Sequence, residues 1–260
     1  MHKKALLAVS FGTSHLDTLE KTIAAIERAL AEAFPERTLR RAFTSGMILR
    51  RLDREGVHMD DVPAALEKLA EEGYTDVLIQ PTHVINGAEY DKLTEQAAPF
   101  RSRFDRLVMG RPLLTREDDY KEVVRAMMDD LPQAEENTAI LYMGHGTEHF
   151  ANSAYAMLEY VFHEAGRDDV FIGTVEGYPG FDQALSRIRA RKVTAVELRS
   201  LMIVAGDHAK NDLAGPEEDS WRCRLEREGY AVRCVLRGMG ELPGIQAMYV
   251  GHAREAEQTE

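Results

Sequence analysis

Short apolar, β-branched runs alternate with longer segments of helical period along this chain, and midway the alternation starts afresh. The first pass predicts strands over Lys4 to Phe11, Leu39 to Phe43 and Asp76 to Gln80, with helices over Asp17 to Ala33 and Val62 to Glu72. The second predicts strands over Thr138 to Met143, Val170 to Thr174, Ala195 to Leu201 and Ala231 to Leu236. Its helices run over Asn152 to Ala165, Phe181 to Arg191 and Glu217 to Glu228. Strand and helix in alternation imply a parallel sheet with helices on both faces. The stretch Asp129 to Asn137, with Pro132 and a run of Gln and Glu, has no periodic apolar face and reads as a linker. The expected architecture is therefore α/β, two Rossmann-like domains with parallel sheets, over residues 1–132 and 133–260.

The two halves also match in detail, which points to internal duplication. Leu7-Ala-Val-Ser-Phe-Gly-Thr13 lies against Leu141-Tyr-Met-Gly-His-Gly-Thr147, Phe43-Thr-Ser-Gly46 against Thr174-Val-Glu-Gly177, and Asn86-Gly-Ala-Glu89 against Ala205-Gly-Asp-His208. Each segment follows a strand. Ligands of an open parallel sheet bind beyond the carboxyl ends of its strands, so these segments are where chemistry is expected.

Three side chains stand out there: His145, Glu176 and His208, from three successive strand ends of the second half. Two imidazoles and a carboxylate suit Zn²⁺, Co²⁺, Ni²⁺ or Fe²⁺, and three protein ligands leave coordination positions open for a substrate. Neighbouring Gly144, Gly146, Gly177 and Gly206 would let the backbone approach a bulky ligand. In the first half, Phe11, Ser45 and Glu89 occupy the matching positions. If the domains face each other across a cleft, one wall holds a metal while the other offers an aromatic face and small polar groups to a flat organic ligand.

Other residues carry weaker expectations. Ser10 and His83 are candidates for the same substrate wall, with His83 equally suited to a loop or capping role, and His149 reads as a partner of His145 or an exposed neighbour. Arg50, Arg51 and Arg54 suit ligand carboxylates or, more simply, a solvated helix face. His2, His15, His58, His163 and His252 read as structural or surface residues. The segment Ser10-Phe-Gly-Thr-Ser14 lacks the phosphate-loop and dinucleotide fingerprints, so no nucleotide and no organic cofactor is expected.

Composition narrows the class further. A net charge of −12 disfavours nucleic acid and anionic membranes, both of which need a basic field. The apolar runs fall far short of the roughly 18 residues that span a bilayer. After Met1-His-Lys-Lys, the run Ala5 to Val9 is too short for an export signal, and Cys223 and Cys234 form no Cys-x-x-Cys pair. A cytoplasmic protein with reduced thiols is expected; whether it forms a homo-oligomer is left open.

Ala8-Val-Ser-Phe-Gly-Thr-Ser14, Met143-Gly-His-Gly-Thr147, Val175-Glu-Gly-Tyr-Pro179 and Met202-Ile-Val-Ala-Gly-Asp-His-Ala-Lys-Asn-Asp212 resemble the anaerobic cobalt chelatases of the CbiK type over nearly the whole chain. The resemblance implies a chelatase-like fold and ATP-independent insertion of Co²⁺ into the tetrapyrrole sirohydrochlorin, on the anaerobic route to cobalamin. It implies that His145 is the metal-binding histidine and proton acceptor, Glu176 the catalytic glutamate and His208 the second histidine, with Co²⁺ as the substrate metal. A pyrrole N–H is a poor acid, so insertion needs a positioned base, and an imidazole of ordinary basicity serves near neutrality. Ferrochelatase-type insertion of Fe²⁺ for sirohaem or haem, a non-catalytic metal or tetrapyrrole carrier, and a metal-dependent hydrolase are the alternatives.

Overall fold

The computed structural model describes residues 3–259; His2, read above as a surface residue, lies outside them. The first half contains β1 (Lys4–Ser10), α1 (Leu16–Lys21), α2 (Ile23–Ala33), β2 (Thr38–Phe43), α3 (Gly46–Arg54), α4 (Val62–Glu71), β3 (Asp76–Pro81), α5 (Ala88–Ala97), β4 (Arg106–Met109) and α6 (Glu117–Met128). The second contains β5 (Thr138–Gly144), α7 (Ser153–Glu164), β6 (Val170–Thr174), α8 (Phe181–Arg189), β7 (Ala195–Ser200), α9 (Trp221–Arg227), β8 (Ala231–Val235) and α10 (Pro243–Glu257).

The strands form two parallel four-stranded sheets, ordered β2-β1-β3-β4 and β6-β5-β7-β8. The same order in both halves makes the repeat in the sequence a repeat in topology. The pleat sends Ala5, Leu7 and Val9 to one face, where they meet Val62, Leu66 and Leu69 of α4, while Leu6 and Ala8 are equally buried on the other. Ala139, Leu141 and Met143 of β5 repeat this against Leu185, Ile188 and Leu225. Central strands covered on both faces read as near-continuous apolar runs, which is why β1, β3 and β5 were visible in the sequence; β7 carries Glu197 and Arg199, buried as a pair.

Packing divides the chain differently from the expected 132/133 boundary. One unit runs to Thr115 and takes in α10; the other is Arg116–Leu242. Helix α6 packs on α7, burying Val123, Val124 and Met127, so the Asp129 to Asn137 stretch is a loop within the second unit and not the connection between units. Helix α10 packs on α2, β3 and β4 of the first unit through residues that include Ile245, Tyr249 and Ala253. The fully enclosed Arg37 side chain anchors it there, donating to both Asp76 carboxylate oxygens (3.0 and 3.2 Å) and to Glu257 Oε1 (2.8 Å). Contacts made so far along the chain leave no local periodic mark.

Smaller differences have local causes. The helix expected over Asp17 to Ala33 breaks at Thr22, whose backbone (φ −117°, ψ −81°) leaves the helical region while its hydroxyl and its N–H both donate to the Thr18 carbonyl (2.6 and 3.1 Å). Helix α9 starts later than expected because Ser220 caps it, its hydroxyl accepting from the Cys223 N–H. No helix among the described residues is long and apolar enough to cross a membrane.

Candidate metal centre

In the second sheet β5 lies between β6 and β7, so the loops after these three strands are neighbours at one rim. His145 follows β5, Glu176 follows β6, and His208 sits beyond β7 at the start of a wide helical turn, Ala209–Leu213. The first two loops are zipped together by backbone: the His145 carbonyl accepts from Val175 N–H (3.1 Å) and from Glu176 N–H (2.8 Å). The result gathers all three side chains, with one ligand atom from each within 4.8 Å of the others. The two imidazole rings stand edge to face at 4.8 Å between centroids. Bonds of about 2.0–2.1 Å from nitrogen or carboxylate oxygen to an ion are reached from this spacing by small side-chain rotations.

Hydrogen bonds determine which nitrogen each histidine presents. His145 Nδ1 lies 2.9 Å from the Gly146 carbonyl, which can only accept, so Nδ1 carries the proton and Nε2 offers its lone pair. Glu176 Oε2 lies 3.7 Å from the same Nδ1. His208 Nδ1 is 2.6 Å from Asp212 Oδ2, and the same reasoning leaves its Nε2 open. A carboxylate behind a ligating imidazole fixes ring and tautomer and makes the free nitrogen a better donor to metal. Asp212 is a candidate supporting residue that the sequence alone did not single out, though its four-residue spacing from His208 on a helical turn was the available signal. Glu176, 58% exposed, leaves the third corner of the site open to solvent.

Two of the glycines beside the ligands have protein packed closely against them. A Cβ on Gly144 would strike the Tyr155 ring, and one on Gly177 would strike the Asn152 amide. These two glycines let protein pack on protein behind the site. His149 is likewise a cap: its Nδ1 accepts from the Ala151 N–H (3.2 Å), while its ring stacks on Phe150. His163 and His252 donate to the carbonyls of Val170 and Arg111, matching the structural role read for them.

The candidates in the first unit divide in two. Ser10 is buried, with its hydroxyl 2.7 Å from that of Thr82, and Ser45 is the buried N-cap of α3, accepting from Ile48 N–H. Both hydroxyls are engaged within the fold, contrary to the substrate role expected of them. Phe11 is partly exposed at the end of β1, and Glu89 lies in the first turn of α5 with Lys92 Nζ at 3.8 Å. Arg50, Arg51 and Arg54 are exposed on α3, as a solvated face would be.

His83, half-buried after β3, has its Nε2 3.4 Å from the Thr44 hydroxyl and its Nδ1 buried with no hydrogen-bond partner. Burial, aided by the Lys92 ammonium, pushes its pKa down to about 4. The unfolded chain protonates this imidazole near pH 6.5 and the folded chain only near 4, so stability falls as pH drops through that window. The loss approaches ~3 kcal/mol at its acid end. Thermal melts between pH 8 and pH 4.5 should show this fall in wild type and a flatter profile in His83→Gln; parallel profiles would contradict it.

The family model for cobalt chelatase (CbiK) matches residues 4–258. The chain is 46% identical over 255 residues to the sirohydrochlorin cobaltochelatase of Salmonella typhimurium, covering 98% of this chain and 96% of that one. It is 34% identical over 259 residues to sirohydrochlorin cobaltochelatase CbiKC of Nitratidesulfovibrio vulgaris, covering 98% and 91%. Among solved structures, SirB from Bacillus subtilis with Fe3+ matches at TM-score 0.68 and 15% identity, covering 98% and 96%. CbiX, described as the terminal enzyme for biosynthesis of siroheme in denitrifying bacteria, matches at TM-score 0.54 and 15% identity, covering 97% and 99%. These two support the α/β fold, and the two close relatives and the family model together place the sequence: the chain belongs to the CbiK family of cobalt chelatases.

Proposed function

We propose that this chain inserts Co²⁺ into sirohydrochlorin, with His145, Glu176 and His208 holding the metal before transfer. The observation that carries the site assignment is the convergence of these three ligands from three adjacent strand ends in a member of this family. Insertion exchanges two pyrrole N–H protons for one divalent ion. His145 takes one of those protons on Nε2, the ring nitrogen opposite the one that meets the Gly146 carbonyl. The same nitrogen cannot hold metal and accept a proton at once, so His145 releases the ion first while Glu176 and His208 keep it in place. Once the ion has passed to the macrocycle, Glu176, open to solvent, takes the second proton and passes it to water.

The rim around the trio suits a flat macrocycle. Phe150 and Tyr178, in the loops after β5 and β6, are 83% and 76% exposed, far more than large rings usually are. We assign them to contact with the tetrapyrrole face; Phe11, His83 and Glu89 are candidate substrate contacts of the first unit. The reaction as proposed uses no nucleotide and no organic cofactor, and the reduced thiols Cys223 and Cys234 suit a cytoplasmic setting.

Anaerobic incubation of the protein with sirohydrochlorin and Co²⁺, followed by visible absorbance, tests the activity; absence of acceleration over the protein-free rate would refute it. A nitrogen and oxygen site binds Ni²⁺ and Cu²⁺ more tightly than Co²⁺, so selectivity does not come from affinity. Fe²⁺ should therefore be inserted as well, and strict rejection of Fe²⁺ in the same assay would contradict the ligand set.

A further inference from the structure

Asn152 stands at the N-cap position of α7, where asparagine ordinarily accepts a hydrogen bond from the first turn, yet its side chain caps nothing there. The amide is used elsewhere. Its Oδ1 accepts from the Thr147 N–H at 2.9 Å, in the loop that carries His145. Its Nδ2 donates to the Tyr178 carbonyl at 2.6 Å, in the loop that carries Glu176. Only 7% exposed, it lies pressed against Gly177, where a Cβ would come within 2.4 Å of Oδ1. One planar group thus bonds to both ligand loops at once, with acceptor and donor each facing its complement.

We infer that Asn152 is a positioning residue that sets the spacing of the His145 and Glu176 ligand atoms, and thereby the affinity of the site for Co²⁺. The inference rests on the reading of His145, Glu176 and His208 as the metal ligands. Near their roots the two loops are joined by backbone, the Gly144 and His145 carbonyls accepting from the Val175 and Glu176 N–H groups, and Glu176 itself is exposed. The amide adds a second tie on the far side of each ligand, at Thr147 and at Tyr178. Hinging of one loop against the other is then blocked. The same tie holds exposed Tyr178 in register with the metal.

Asn152→Asp separates the two bonds: a carboxylate still accepts from Thr147 but meets the Tyr178 carbonyl as one acceptor against another. Gly177→Ala strains the clamp from the opposite side, in a loop beyond the sheet, and decides the matter alone should Asn152→Asp fail to fold. Co²⁺ alone is titrated into each protein, reading affinity and the ligand-field spectrum of the bound ion. Kd for Co²⁺ is expected to rise about 10- to 100-fold with an altered spectrum. In the insertion assay, KM for Co²⁺ should rise in step while KM for sirohydrochlorin stays within about twofold. Wild-type Co²⁺ affinity and spectrum in Gly177→Ala, or in a folded Asn152→Asp, would overturn the inference. His145→Ala and His208→Ala run beside them: if these too bind Co²⁺ normally, it is the metal-site reading that has failed.

Discussion

His145→Ala is expected to lower the rate of Co²⁺ insertion about a thousandfold, the middle of the range that a positioned acid or base contributes and equivalent to about 4 kcal/mol of barrier. Two losses combine in that figure, and they separate experimentally. On the proposed ligand set, the missing metal ligand is compensated by raising the Co²⁺ concentration, because Glu176 and His208 remain to bind it, though more weakly. The missing base is not. A deficit that persists at saturating Co²⁺ therefore measures proton transfer, and added free imidazole should restore part of it. His149→Ala is the control: four residues away, its ring caps a turn through the Ala151 N–H, and its removal should leave kcat within a few-fold of wild type. If His145→Ala inserts Co²⁺ at the wild-type rate, the base lies elsewhere.

What the sequence disclosed of this site follows from the physics of parallel sheets. Strand ends are visible because buried strands are apolar and stop at glycine or polar residues, and ligand-type side chains immediately beyond them are visible for the same reason. His145, Glu176 and His208 could be picked out in this way. The supports could not. Asp212 touches His208 through a local helical spacing that many exposed acids share, and Asn152 looks like an ordinary helix cap until its two loop partners are known. Ser10 and Ser45 misled because a hydroxyl at a strand end serves a ligand or a neighbour equally well. Helix α10 was missed for another reason: its buried face, Ile245, Met248, Tyr249, His252, Ala253 and Ala256, includes a histidine and two alanines and so makes only a weakly apolar stripe. The partner it covers lies some two hundred residues earlier, and only the folded chain connects them.

Gly146→Ala is expected to disable the metal centre while leaving the fold standing. Gly146 adopts φ +82°, a left-handed conformation that costs an L-residue roughly 1–2 kcal/mol. That cost alone would not single out the site, because Gly229, in the turn before β8, has φ +90° and should respond in the same way. The two differ in what surrounds them. A Cβ at Gly229 meets nothing within 4 Å, whereas one at Gly146 would lie 2.6 Å from the Gly177 backbone nitrogen and 2.7 Å from Thr174 Cβ. Backbone and strand-end atoms cannot rotate away, so the loop carrying His145 must lift from the loop carrying Glu176. Its carbonyl would then lose the bonds that zip the two together. Both alanine variants should melt a few degrees below wild type, as expected from ~1–2 kcal/mol in a protein of this size. Only Gly146→Ala should raise the Kd for Co²⁺, by about 100-fold or more, with insertion falling at least as far. Equal Co²⁺ affinity in the two variants would mean that the contact between the loops does not shape the site, and that the three ligands keep their geometry by some other means.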